Sequence, residues 1–215
     1  MVGIKFCISS NINFSNKTFP IIVNSLLEAN IQASDIYFFI GGMKTYEKLD
    51  SIVNAYYCDN NSFDLTSLIA ILDLGLKSDY WFLLHDTCYV GKSFKDNIMR
   101  YTYNTDTLRL YSGASMNIGA YSQSYLDKEK DLILSYKNQD YSFESLQRLK
   151  SRLVTEEDFL FKKSICKVYT DRVISEGPID FYSNGVGRII EHYNDVDLHK
   201  LKANWFGKSI YETKL

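Results

Sequence analysis

Five consecutive apolar residues, Tyr80-Trp81-Phe82-Leu83-Leu84, run directly into His85-Asp86-Thr87. An apolar run with no polar interruption cannot lie half-exposed on a surface; it suits a strand covered on both faces. Asp35-Ile36-Tyr37-Phe38-Phe39-Ile40, closed by Gly41-Gly42, repeats the pattern, and Val2 to Ser9 is a shorter strand of the same kind. Between these runs the spacing turns helical. Ile22, Val23, Leu26 and Leu27 mark a helix within Phe19 to Asn30, and Leu65, Leu68, Ile69, Leu72 and Leu76 mark another within Phe63 to Leu76. Ile52 to Tyr57 reads as a further strand. Strands alternating with helices imply β-α-β units. The expected fold is α/β: one Rossmann-like domain over residues 1–215, with a central, mostly parallel mixed β-sheet flanked by α-helices.

The second half is less regular. Leu108 to Met116 and Lys167 to Val173 read as strands, and Tyr125 to Tyr136 and Phe143 to Leu153 as helices. Thr155-Glu156-Glu157-Asp158, ahead of Phe159-Leu160-Phe161, has the form of a helix start. The segment from Lys200 to Lys208 is basic. The domain stands either alone or within a longer polypeptide.

Composition excludes several classes. The 24 basic and 26 acidic residues nearly cancel, so no charge excess points to nucleic acid. No stretch approaches the ~18 apolar residues of a membrane span. The four cysteines form no CxxC pair, so neither a zinc knuckle nor a redox pair is indicated. Met1 to Ile8 is a strand and not a secretion signal, which makes a cytoplasmic protein the expectation.

In parallel sheets, ligands collect at the carboxyl ends of the strands. The exits to inspect are Ser9-Ser10-Asn11, Gly41-Gly42, Asp59-Asn60 and His85-Asp86-Thr87. An aspartate delivered there by a rigid strand can hold a divalent cation that neutralises a diphosphate.

This order of features resembles the GT-A glycosyltransferases, in which a helix and an apolar strand lead into an Asp-x-Asp motif. The resemblance implies a UDP-sugar donor carrying a hexose or deoxyhexose, a glycan hydroxyl as acceptor, and Mn²⁺ or Mg²⁺ as cofactor. It places residues 1–100 on the nucleotide side and 101–215 on the acceptor and sugar side. Ser9, Ser10 and Asn11 would meet base and ribose, with Asp59 reaching the uridine. The turn Ser115-Met116-Asn117-Ile118-Gly119-Ala120 would line the sugar pocket through Asn117 and Gly119. Glu157 and Asp158 would be the catalytic carboxylates. Lys208, in Asn204-Trp205-Phe206-Gly207-Lys208, would contact phosphate. Asp86, His85 and, from the tail, His199 would ligate the metal. The sequence departs from the family at one place, with His85-Asp86-Thr87 where Asp-x-Asp is usual. Its Asn- and Tyr-rich, Gly-poor composition is similar to that of glycosyltransferases from large DNA viruses such as the chlorella viruses, which would put it in the host cytoplasm.

Plainer roles compete for the same residues. Asp86 suits a turn cap, and acids at a helix start complement the helix dipole. Two other functions fit the layered sheet. A nucleotidyltransferase acting on sugar phosphates normally carries a Gly-rich loop after its first strand, whereas Ser9-Ser10-Asn11-Ile12-Asn13 has no glycine. A non-catalytic nucleotide- or carbohydrate-binding domain would keep the fold and lack a complete acidic motif.

Overall fold

The computed structural model describes residues 2–113, 116–176 and 188–203. Strands β1 (Ile4–Asn11), β2 (Ile36–Gly41), β3 (Glu47–Lys48), β4 (Asn54–Cys58), β5 (Tyr80–His85), β7 (Thr107–Tyr111), β8 (Gly119–Ser122) and β9 (Cys166–Thr170) form one sheet in the order β3-β4-β2-β1-β5-β8-β7-β9. Its centre, β4-β2-β1-β5, is parallel, as is the β7–β9 pair, while β3 and β8 run antiparallel to their neighbours. The mostly parallel sheet flanked by helices is the fold that the apolar runs demand.

Both faces are covered, and the period of two shows it. On one face Phe6, Ile8, Phe38, Phe82 and Leu84 pack against Ile22, Val23 and Leu26 of α1 (Ser15–Glu28) and Phe94 and Ile98 of α3 (Phe94–Met99). On the other, Cys7, Phe39, Trp81 and Leu83 meet Leu68 to Leu72 of α2 (Thr66–Asp73). Residues from α4 (Gln123–Lys128), α5 (Lys130–Leu134) and α7 (Phe159–Lys162) complete that layer. A strand whose alternate side chains are all buried has no position for a polar residue until it ends. Polar chemistry therefore concentrates at the exits.

Several expected elements are divided. The strand expected over Leu108 to Met116 stops at Tyr111, and Met116 and Asn117 take left-handed φ values of 54° and 61°. Tyr125 to Tyr136 holds two short helices in place of one. Thr155 closes α6 (Phe143–Thr155) and opens nothing; Asp158, at φ 59°, breaks the chain between α6 and α7. The acids from Glu156 to Asp158 thus occupy a bend between helices, not the first turn of a long one.

A second sheet has no counterpart in the sequence expectations. Strands β6 (Cys88–Val90), β10 (Val173–Glu176), β11 (Arg188–Tyr193) and β12 (Leu198–Ala203) pair antiparallel in the order β10-β11-β12-β6. The stretch expected as one strand, Lys167 to Val173, is shared between the two sheets. Because β6 begins just beyond β5, this sheet brings the later chain up to His85-Asp86-Thr87, and Leu201 N–H donates to the Thr87 carbonyl at 3.0 Å. All four cysteines are free. Among the described residues no helix is long and apolar enough to cross a membrane.

Candidate functional site

The parallel register sets Ser9 beside His85 at the carboxyl edge of β1 and β5. Alternation then sends successive residues to opposite faces. Ser9 and His85 turn toward the α2 side, and Ser10 and Asp86 toward α1. Ser9 Oγ donates to the Asp64 carbonyl (2.9 Å) and contacts Ser67 Oγ (2.8 Å), which ties β1 to the start of α2. Ser10 Oγ donates to Asp86 Oδ2 at 2.6 Å, and Thr18 Oγ1 of α1 donates to the same oxygen at 3.1 Å. Burial pushes the Asp86 carboxyl above the ordinary carboxylate range, against the opposing pull of Ser10, Thr18 and Lys200. Asn11 turns back on its own loop, its Oδ1 accepting from Asn13 N–H at 2.9 Å.

His85 is 5% exposed and both ring nitrogens are engaged. Lys200 Nζ, itself 3% exposed, lies 2.6 Å from Nδ1. An ammonium has no acceptor, so Nδ1 accepts and the proton sits on Nε2. Nε2 lies 3.0 Å from the Met116 carbonyl and 3.3 Å from Asp64 Oδ1. Lys200 also touches Met116 Sδ at 3.2 Å.

The Met116–Asn117 turn continues the network. Asn117 N–H donates to Asp158 Oδ1 at 2.9 Å, and Arg109 donates to Asp158 Oδ2 at 2.5 Å. Asp158 is 2% exposed, so this is a buried pair that braces the left-handed turn. Asn117 Oδ1 and Arg109 Nε are buried and have no hydrogen-bond partner among the described residues. Glu157, next to it, is half-buried. Gly119 follows at φ 151°, where an added Cβ would lie 2.2 Å from the Leu108 carbonyl oxygen. Its role is the close approach of β8 to β7.

Asp59 leaves β4 on the far side of the edge. Its Oδ2 accepts from Gln139 Nε2 (2.8 Å) and Lys137 Nζ (3.0 Å). Asp59 Oδ1 and Asn60 Oδ1 are buried acceptors with no hydrogen-bond partner among the described residues.

The structure thus joins Ser10, His85, Asp86, Asn117 and Asp158 at one edge, through contacts with Thr18, Asp64, Met116, Arg109 and Lys200. Those five connecting residues were not singled out from sequence. The turn that contains Met116 and the basic character of the segment starting at Lys200 gave the only signals. Lys208 lies outside the described residues.

The ligand set expected for Mn²⁺ or Mg²⁺ does not come together. An Asp-x-Asp motif puts both carboxylates on one face, whereas His85 and Asp86 are adjacent and diverge. A neutral imidazole has one lone pair, and in His85 it faces Lys200. His199 neighbours Lys200 on β12 and therefore points to the opposite face. Its Nδ1 meets His192 Nδ1 at 2.9 Å, its Nε2 faces Asp197 Oδ1 at 3.4 Å, and its ring lies against Tyr89. Among the described residues no three His, Cys, Asp or Glu side chains gather to hold a metal ion. The described residues do not fit the ion.

No family model and no curated protein matches the chain. Two crystal structures of S. aureus TarS residues 1–349 resemble it. The one in complex with UDP-GlcNAc is 10% identical at a TM-score of 0.42, covering 59% of this chain and 47% of that one. The other is 13% identical at a TM-score of 0.44, covering 76% of this chain and 57% of that one. The chain spans about half the length of the structures it resembles.

Proposed function

We propose that this chain is a glycosyltransferase that moves a hexose or deoxyhexose from a UDP-sugar to a glycan hydroxyl. The observation that carries this reading is the convergence of Ser10, Asp86, His85, Lys200 and the Met116–Asn117 turn on the carboxyl edge of β1 and β5. That edge is where an open α/β sheet binds its ligand. The buried acceptors of Asp59 and Asn60, without a partner among the described residues, suit a uracil N3–H, and Asn117 Oδ1 suits a sugar hydroxyl.

In the reaction, the acceptor oxygen bonds to the anomeric carbon. The bond from that carbon to the β-phosphate oxygen breaks, and its electron pair leaves on the diphosphate. The hydroxyl proton passes to a base. Both Asp158 oxygens are occupied by Arg109 and Asn117, so Asp158 acts as the brace of the sugar-side turn. Glu157 is the carboxylate assigned to the base.

Release of UDP from UDP-GlcNAc and other UDP-sugars, hydrolysis included, tests the proposal. Wild type should turn over at least one donor, and Glu157→Gln should lower transfer by about 10²-fold or more. Binding of UDP without turnover of any donor would favour the non-catalytic binding domain instead.

A further inference from the structure

We infer that Ser175 is an activated nucleophile, standing at the end of a four-residue proton relay, that takes an acyl group from an activated ester. The relay lies on the second sheet, away from the edge of β1 and β5, so this activity goes beyond the glycosyltransferase reading and does not depend on it.

Strand register brings the residues together. His192 on β11 pairs with Val173 of β10 on one side and with His199 of β12 on the other, and His199 pairs with Tyr89 of β6. Directly paired residues share a face, so these four form one row across the sheet. Ser175, two positions beyond Val173, lies on the same face, while Lys200 turns to the other. Ser175 is exposed, and both histidines are part-buried. Asp197 is set by the turn that leads into β12. Its backbone is left-handed at φ 57°, its carbonyl accepts from Gly91 N–H at 2.8 Å, and its Oδ2 accepts from Ser93 N–H at 3.0 Å. A Cβ on Gly91 would overlap that carboxylate, so the glycine makes room for it.

Three contacts link the relay. Ser175 Oγ lies 2.6 Å from His192 Nε2, His192 Nδ1 lies 2.9 Å from His199 Nδ1, and His199 Nε2 lies 3.4 Å from Asp197 Oδ1. With neutral rings, one proton arrangement satisfies all three. A carboxylate only accepts, so His199 carries its proton on Nε2 and keeps a lone pair on Nδ1. His192 must then donate from Nδ1, which leaves the lone pair of its Nε2 facing Ser175. The serine hydroxyl donates to that lone pair. Burial, followed by the charge of His192, holds His199 below its ordinary 6.5 and favours the neutral ring. A hydroxyl bonded to a base that a further group orients is the arrangement that activates a nucleophile.

In the step that follows, Ser175 Oγ bonds to the carbonyl carbon of the ester. The bond from that carbon to the leaving oxygen breaks, and its electron pair departs on that oxygen. The Ser175 proton passes to His192 Nε2. His199 and Asp197 are positioning residues that hold the proton order. Val173, 56% exposed on the same face, offers a short acyl chain apolar ground.

Two measurements on the whole chain test the assignment. After reaction with p-nitrophenyl acetate at pH 8, peptide mass mapping should find the acetyl group on Ser175 in wild type. His192→Gln should slow that acetylation by about 10²-fold or more. Nitrogen NMR of the imidazoles is simple in a chain with three histidines, and it should show His192 protonated at Nδ1 and His199 at Nε2. Asp197→Asn, whose amide can donate where the carboxylate only accepts, should mix these two forms and slow acetylation. No acetyl group on Ser175, an equal rate in His192→Gln, or a wild-type His192 protonated at Nε2 would each overturn the assignment. If His192→Gln does not fold, acetylation of wild type and its tautomers decide.

Discussion

At the scale of single residues, the site is built at a cost to stability. Asp86 is the clearest case, because burial raises its carboxyl pKa above the ordinary 3.8. A carboxyl raised on folding contributes stability below its unfolded pKa, and that contribution is lost as pH rises through its folded pKa. At neutral pH the Asp86 carboxylate thus opposes folding. Asp86→Asn is expected to melt at a higher temperature than wild type at pH 7, with the gap closing as pH falls toward 4. Thermal melts across that range measure it, and an unchanged or lower melting temperature at pH 7 would show that the hydroxyls of Ser10 and Thr18 fully offset the burial.

At the scale of elements, two close fits carry predictions. Gly119 lets β8 approach β7, and a Cβ there would press to 2.2 Å from the Leu108 oxygen at a φ unsuited to other residues. Gly119→Ala should lower stability by about 1–3 kcal/mol, read from the midpoint of denaturant unfolding. Because β8 follows the Met116–Asn117 turn, the same change should also weaken binding at the sugar side. In the second sheet, His192 and His199 face each other across β11 and β12. Burial, followed by the charge of His192, holds His199 below its ordinary 6.5, against the pull of Asp197. A depressed histidine contributes stability above its unfolded pKa and loses it as pH falls through the folded value. Wild type should therefore lose melting temperature between pH 7 and 5 more steeply than His199→Gln. Parallel slopes for the two proteins would count against the pair.

These elements also show how far sequence reaches. Tyr80 to Leu84 and Ile36 to Ile40 announced buried strands because no other element tolerates such runs. Their lengths made the exits at Ser10 and Asp86 legible too. The Leu108 to Met116 strand and the Thr155 to Asp158 helix start were misplaced for one reason. Left-handed residues, Met116, Asn117 and Asp158, stand where the strand and the helix start were expected, and Asp158 contacts both Arg109 and Asn117. Arg109 and Asp158 are 49 positions apart, and no local pattern marks the bond between them.

At the scale of the whole molecule, the near balance of 24 basic and 26 acidic residues conceals a local arrangement. The second sheet carries Lys200 over 115 positions to His85. The sequence by itself determined the layered sheet, the side of it on which chemistry gathers, and the presence of an aspartate there. Those follow from local hydrophobic runs, whose burial is the same wherever their partners lie. The tertiary structure alone decided which cation stands beside that aspartate, which carboxylate is tied up as a brace, and which histidine belongs to another face. Such contacts join residues through strand register, and register depends on the pairing of distant segments, which no short stretch of sequence records.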